Sequence, residues 1–247
     1  MRISRRTVVA TVAGLVMAAG LAPAALAQVR AAKPLKIVVY GGSGNIGSRI
    51  VNEAMNRGHS VTIVDRNPKP IEGPHAHHVK LVTGDALDPK DVAKNAAGQD
   101  VVISSVIVRP TPTPDFSLRV AQAMVEGVRA AAPQKPRLMV VGGASSLYDA
   151  NGKRLVDSFP GEVPNEVGGA VLALDWLRTV NDVSWTFFSP PRNISPGTRT
   201  GKFRLGTDQV VVDAAGQSAI SMEDYAVAML DEIEKPQFIN KRFTVGY

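Results

Sequence analysis

From residue 35 to about residue 190, short runs rich in β-branched and aromatic residues alternate with longer amphipathic stretches. The runs are LKIVVY (35–40), SVTIVD (60–65), HVKLVT (78–83), DVVISSV (100–106), RLMVVG (137–142) and VSWTFFS (183–189). Several are apolar at nearly every position, the pattern of strands buried on both faces in a parallel sheet. Between them, residues 45–57, 88–97, 115–132 and 166–180 carry helical spacing. Asp88-Pro89 opens one helix with proline at a first helical position, and Pro133 and Pro136 follow the end of another. The alternation predicts an α/β fold, a doubly wound parallel sheet with helices on both faces and right-handed crossovers.

The pattern changes after residue 190. PPRNISPGTRTGKFRLG, rich in Pro, Gly and Thr, reads as a surface excursion on the substrate side. A short strand at 209–213, a helix at about 221–234 opened by Ser221 with Asp224 three residues on, and a last strand RFTVG follow. Residues 35–247 thus read as a single domain, preceded by a linker, 28–34.

Residues 1–27 do not belong to this pattern. They have a charged start, an apolar stretch from Val8 to Leu21 and an Ala25-Leu26-Ala27 end, which together read as a signal peptide. Ser4-Arg5-Arg6-Thr7 resembles a twin-arginine signal, whose route carries folded proteins, so a cofactor acquired before export could travel inside. A general secretory signal and an uncleaved anchor are the alternatives, and the expected location is the bacterial periplasm. No other apolar run approaches the ~20 residues of a membrane span, so no membrane partner is expected after cleavage.

Composition narrows the chemistry. The chain has 247 residues and no cysteine, which removes thiolate metal sites, disulfides and a cysteine nucleophile. Its formal charge of +6 depends partly on three arginines in residues 1–27. Without them the excess is too mild to indicate nucleic acid.

The candidate chemistry sits in KIVVYGGSGNIGSRI, where Gly41, Gly44 and Gly47 are spaced by three between a strand and a helix. Glycine permits close backbone approach and positive φ, and the helix start offers free N–H groups to a pyrophosphate. Because Gly42 is also glycine, the stretch fits both GxxGxxG and GxGxxG. In strand-turn-helix-strand context with an ionisable residue about twenty positions on, that is a dinucleotide-binding signature. The second strand ends in Asp65-Arg66. An acid there suits the ribose hydroxyls of NAD and an arginine the 2′-phosphate of NADP. Strand alternation suggests that only one of the two faces the ribose.

VVYGGSGNIGSRI, VDRNP, LVTGDALDPKDV, AGQDVVISSV, VVGGASSL and FFSPP, in this order and spacing, resemble the atypical short-chain dehydrogenase/reductases of the NmrA-like type, particularly flavin and biliverdin-IXβ reductases. The resemblance covers about Lys36 to Tyr247. It implies a Rossmann-type domain that binds NADP, with NAD as the alternative. It further implies that Gly41, Ser43, Gly44, Asn45, Ile46 and Gly47 wrap the pyrophosphate and that Arg66 takes the 2′-phosphate. Asp85 and Ala86 would then lie along the adenine, and Ser104 and Ser105 near the inner ribose. On the nicotinamide side the matching positions are Ser145 or Ser146, with Pro190 as a pocket wall or simply a stiff strand exit.

Classical members use a Tyr-x-x-x-Lys pair, and none of Tyr40, Tyr148, Tyr225 or Tyr247 has a lysine four residues later. Alcohol dehydrogenation by that route is therefore disfavoured. Hydride transfer to a flavin-like or other planar small-molecule acceptor asks less of the protein, because the cofactor carries the chemistry. A non-catalytic NAD(P)-binding sensor or scaffold is the second reading, and a nucleotide-sugar epimerase or dehydratase the third. His75, His77 and His78 in HAHH read as a solvated loop rather than a metal site. No GxSxG elbow is present. Oligomeric state is not legible.

Overall fold

The central strands of the sheet form where a run of apolar residues is covered on both faces. In the computed structural model, residues 33–107, 112–132 and 134–247 are described. The expected signal peptide, 1–27, lies outside the described residues, as does most of the linker. Among the described residues no helix is long and apolar enough to cross a membrane.

The chain runs β1 (Lys36–Tyr40), α1 (Asn45–Asn56), β2 (Ser60–Asp65), β3 (Lys80–Thr83), α2 (Pro89–Ala96), β4 (Val101–Ser104), α3 (Phe116–Ala130) and β5 (Arg137–Val141). It continues through α4 (Asn165–Leu177), β6 (Trp185–Ser189), β7 (Asn193–Ser195), β8 (Arg204–Gly206), β9 (Ala219–Ser221), α5 (Met222–Glu234) and β10 (Lys241–Gly246). The main sheet has eight strands in the order β3-β2-β1-β4-β5-β6-β10-β8. All its pairings are parallel except that of β8 with β10. This is a Rossmann-type doubly wound fold, as the alternation predicted.

Alternation along β1 explains the two layers. Val38 and Tyr40 join the core beneath α2, α3 and α4, whereas Ile37 and Val39 join the core beneath α1 and α5. The chain winds outward from β1 to β3 and then returns to place β4 on the other side of β1. The carboxyl ends of β1 and β4 therefore diverge into a crevice, the usual ligand position in such sheets. Helix starts follow their sequence signals. Asp88 accepts the Lys90 N–H at 2.9 Å ahead of Pro89, and Ser221 accepts the Asp224 N–H at 3.0 Å. Helix α1 differs, because Gly44 at its cap position offers no side chain.

The excursion after β6 departs from expectation in one respect. No strand forms at 209–213; Gln209 makes only an isolated bridge to Tyr148. The strand nearby is β8, which pairs antiparallel with β10. Val211 explains the difference: it seats over Gly206 and Gly246, where an added Cβ would lie 2.8 Å and 3.0 Å from its side chain. The chain here crosses the face of the edge pair instead of extending it.

Two buried carboxylates tie the excursion down. Asp224 accepts the Thr200 and Gly201 N–H groups at 2.8 Å and 2.7 Å and the Tyr247 hydroxyl at 2.8 Å. Glu53 on α1 accepts Arg199 and Arg57, each at 2.8 Å. Burial would raise the Glu53 carboxyl, but hydrogen bonds from Arg199 and Arg57 outweigh it and hold the group below the usual carboxylate range.

Candidate functional site

The glycine turn is shaped by contacts too close for side chains. Gly41 has φ +79°, and a Cβ there would lie 2.4 Å from the Ser105 carbonyl oxygen. A Cβ on Gly47 would lie 2.1 Å from the Gly41 carbonyl oxygen, so α1 can approach the turn only with glycine at this position. The Gly44 N–H closes the turn onto the Gly41 carbonyl at 3.1 Å. The first-turn N–H groups of α1, on Asn45, Ile46 and Gly47, receive no side-chain cap, and no acidic residue stands in that turn. Free N–H groups at a positive helix end form a cradle for an anion.

Beside the turn lies a cleft of about 580 Å³ between the ends of β1, β2 and β4 and the loop after β3. Arg66, Asn67 and Lys69 form one wall and Gly84, Asp85, Ala86 and Leu87 another. Asp65 also lines the cleft, and its Oδ2 accepts the Ser43 N–H at 2.9 Å. Because β2 ends at Asp65, strand alternation does not reach Arg66, and both residues border the same space. The Arg66 guanidinium makes no hydrogen bond or ion pair with any described residue. Ser43 fixes the Lys69 backbone by accepting its N–H at 2.9 Å.

Asp91 on α2 organises the wall after β3. It accepts the Tyr40 hydroxyl at 3.1 Å and the Asp85 N–H at 3.2 Å. Burial is the main cause that holds the Tyr40 hydroxyl well above the usual phenol range, so it stays a neutral donor in the floor of the cleft.

A second, smaller cavity of about 80 Å³ lies next to the cleft at the carboxyl ends of β4, β5 and β6. The two spaces share Val106, Ile107 and Phe116. Ser104, Gly142, Gly143 and the first turn of α4 close the small cavity, and among the described residues Glu166 is its single ionisable lining residue.

The predicted residues divide accordingly. Gly41, Ser43, Gly44, Asp65, Arg66, Asp85, Ala86 and Ser105 border the large cleft, and Ser104 borders the small cavity. Asn45, Ile46 and Gly47 form the helix start beside it. Ser145, Ser146 and Pro190 line neither space. After β5 the chain winds into a 3₁₀ turn, Ala144–Ser146, that carries these serines away from it. The Ser145 hydroxyl donates to the Val167 carbonyl at 2.7 Å. Ser146 is 1% exposed, contacts the Ser189 hydroxyl at 3.1 Å, and its carbonyl accepts Arg242 at 2.9 Å. Pro190 is buried beyond β6. Gly142, Gly143 and Glu166 line the small cavity at this end of the sheet.

Sequence reading missed Lys69 and Glu166. Lys69 could have been found as a second cation three residues after Arg66, and Glu166 as a carboxylate at the start of the helix after β5. Tyr148, the nearest match to a Tyr-Lys pair, accepts Arg154 Nε at 3.1 Å, and this contact lowers its pKa. It too lies outside both cavities. Among the described residues no three His, Cys, Asp or Glu side chains gather as a metal site.

The family model described as NAD(P)H-binding matches residues 41–236. A Bacillus subtilis (strain 168) protein named "Uncharacterized protein YwnB" is 35% identical over 216 residues, which cover 85% of this chain and 98% of that one. A "Putative exported protein" from Burkholderia pseudomallei is similar in structure, with TM-score 0.76 and 43% identity, covering 86% of this chain and 100% of that one. A "putative epimerase" from Bacteroides thetaiotaomicron has TM-score 0.75 and 42% identity, with 87% and 98% of the two chains covered. A "putative NADH-flavin reductase" from Streptococcus pneumoniae TIGR4 has TM-score 0.73 and 31% identity, with 86% and 99% covered.

Proposed function

The chain belongs to the NAD(P)H-binding family, and on that premise we propose that it is an NADPH-dependent reductase of the atypical short-chain dehydrogenase/reductase type, acting on a planar, flavin-like acceptor. The observation that carries this reading is the adjacency of two spaces. The large cleft beside the glycine turn shares Val106, Ile107 and Phe116 with a mainly apolar cavity at the carboxyl ends of β4 to β6.

In this reading the uncapped N–H groups of Asn45, Ile46 and Gly47 receive the pyrophosphate. Arg66 and Lys69 receive the 2′-phosphate, and the Asp85–Leu87 wall borders the adenine. Arg66, which borders the cleft and is unpaired among the described residues, favours NADP over NAD, while Asp65 has one oxygen, Oδ2, engaged by the Ser43 N–H. When bound, NADPH supplies the hydride. Val106, Ile107 and Phe116 then exclude water from the region between the two spaces, and the acceptor's own electron-accepting ring lessens the need for a protein acid. The absence of a Tyr-Lys pair is consistent with this chemistry. Tyr40, Tyr225 and Tyr247 donate to Asp91, the Phe188 carbonyl and Asp224, and Tyr148 lines neither space, so none presents a free hydroxyl there for the acid/base role of a sugar epimerase.

Residues 1–27 are proposed as an export signal, of twin-arginine type, and 28–34 as its linker. The similarity to the Burkholderia protein named as exported supports export. A folded route would let the protein carry its nucleotide with it.

NADPH oxidation in the presence of FMN or a soluble quinone tests the reductase reading. Turnover that depends on both partners supports it. Tight NADPH binding with no oxidation by any acceptor would favour the sensor or scaffold reading.

A further inference from the structure

We propose that Glu166 selects the acceptor by accepting a hydrogen bond from a ring N–H, so that the substrate presents an imide or similar N–H edge to the small cavity. The inference rests on the reductase reading above and deepens it.

Three observations lead to Glu166. Among the described residues it is the single ionisable one lining a cavity otherwise walled mainly by apolar side chains, among them Val120, Ala173 and Phe187. It is half-buried and makes no hydrogen bond or ion pair with any described residue, unlike Asp65, Asp91 and Asp175, whose carboxylates are all engaged. Finally, two residues without side chains follow β5. A Cβ on Gly142 would lie 2.1 Å from the Phe187 ring on β6, and one on Gly143 would lie 2.7 Å from Ala170 on α4. The backbone after β5 therefore packs closely against β6 and α4.

An ionised carboxylate is an acceptor-only group. In an apolar cavity it favours a ligand edge that donates and penalises one that presents only carbonyl oxygens, because unpaired polar groups lose solvation without compensation. The cavity, about 80 Å³, holds the edge of a ring system rather than a whole tricyclic acceptor. The pyrimidine edge of an isoalloxazine carries one N–H between two carbonyls, and that N–H is the group a lone carboxylate would select.

The test compares lumiflavin with its N3-methylated form, in which the imide N–H is gone. Both are measured with the full chain saturated with NADP⁺, by quenching of flavin fluorescence, and as acceptors of NADPH by kcat/KM. The wild type should bind and reduce lumiflavin roughly tenfold better than the methylated form, the discrimination expected of a charge-assisted hydrogen bond. Glu166→Gln, which keeps a neutral acceptor, should narrow the ratio, and Glu166→Leu should abolish it, with NADPH affinity within about twofold of wild type as a check on folding. Equal treatment of the two flavins by the wild type, or a ratio that persists in Glu166→Leu, would overturn the role of Glu166 while leaving the reductase reading intact. A wild type that binds NADPH and reduces neither flavin would sink the reductase reading, and the inference with it.

Discussion

The carboxylate of Asp65 accepts the backbone N–H of Ser43 at 2.9 Å, joining the end of β2 to the glycine turn. One oxygen of this acid thus braces the turn, and the cations beside it, Arg66 and Lys69, border the same cleft. Replacing Arg66 with alanine should weaken NADPH by about ten- to a hundredfold and leave NADH almost unchanged, as expected for loss of a charge-assisted contact worth about 1.5–3 kcal/mol. Lys69→Ala should act in the same direction and more weakly. Fluorescence titration with both nucleotides measures the two effects.

Gly47→Ala should damage the turn as well as the affinity. Its Cβ would meet backbone, the Gly41 carbonyl oxygen at 2.1 Å, and backbone cannot swing aside as a flexible side chain can. A loss of about 1–3 kcal/mol in denaturant unfolding is expected, together with at least tenfold weaker nucleotide binding. Gly98→Ala is the control: a Cβ there meets nothing within 4 Å, although its φ of +71° still makes the change mildly unfavourable, and nucleotide affinity should be retained.

Ser146→Ala should affect stability rather than turnover. Its hydroxyl is buried against Gly143 and Ser189, at 2.9 Å and 3.1 Å, and lines neither cavity. A loss of about 1 kcal/mol with kcat within twofold of wild type is the expected result. A hundredfold fall in kcat with normal stability would instead place this serine at the reacting centre.

Acid should loosen the excursion through Glu53. Its carboxyl is held below the usual range in the folded state, so its contribution to stability is full above the unfolded carboxyl pKa, about 4.3. That contribution is lost as pH falls through the lower folded value. Glu53→Gln should cost about 1–3 kcal/mol at neutral pH and flatten the acid limb of the stability curve. Urea unfolding from neutral pH down to about pH 3 reads both effects.

Much of this was legible in the sequence where local chemistry decides structure. Glycine spacing located the turn, runs of β-branched residues located the buried strands, and Asp88-Pro89 and Ser221 located helix starts. The small cavity was not legible, because Ile107, Phe116, Gly142 and Glu166 meet only through the sheet order and no local pattern links them. Ser145 and Ser146 follow the right strand, but a 3₁₀ turn directs them elsewhere. The expected strand at 209–213 failed for a similar reason: the packing of Val211 on two distant glycines outweighed its β propensity.

Calorimetric titration of the full chain with NADPH and with NADH tests the central claim most directly. The structure predicts one site per chain and NADPH at least tenfold tighter than NADH, with the preference lost in Arg66→Ala. Failure to bind either nucleotide, or tighter binding of NADH, would contradict the account of the cleft between the glycine turn and Arg66.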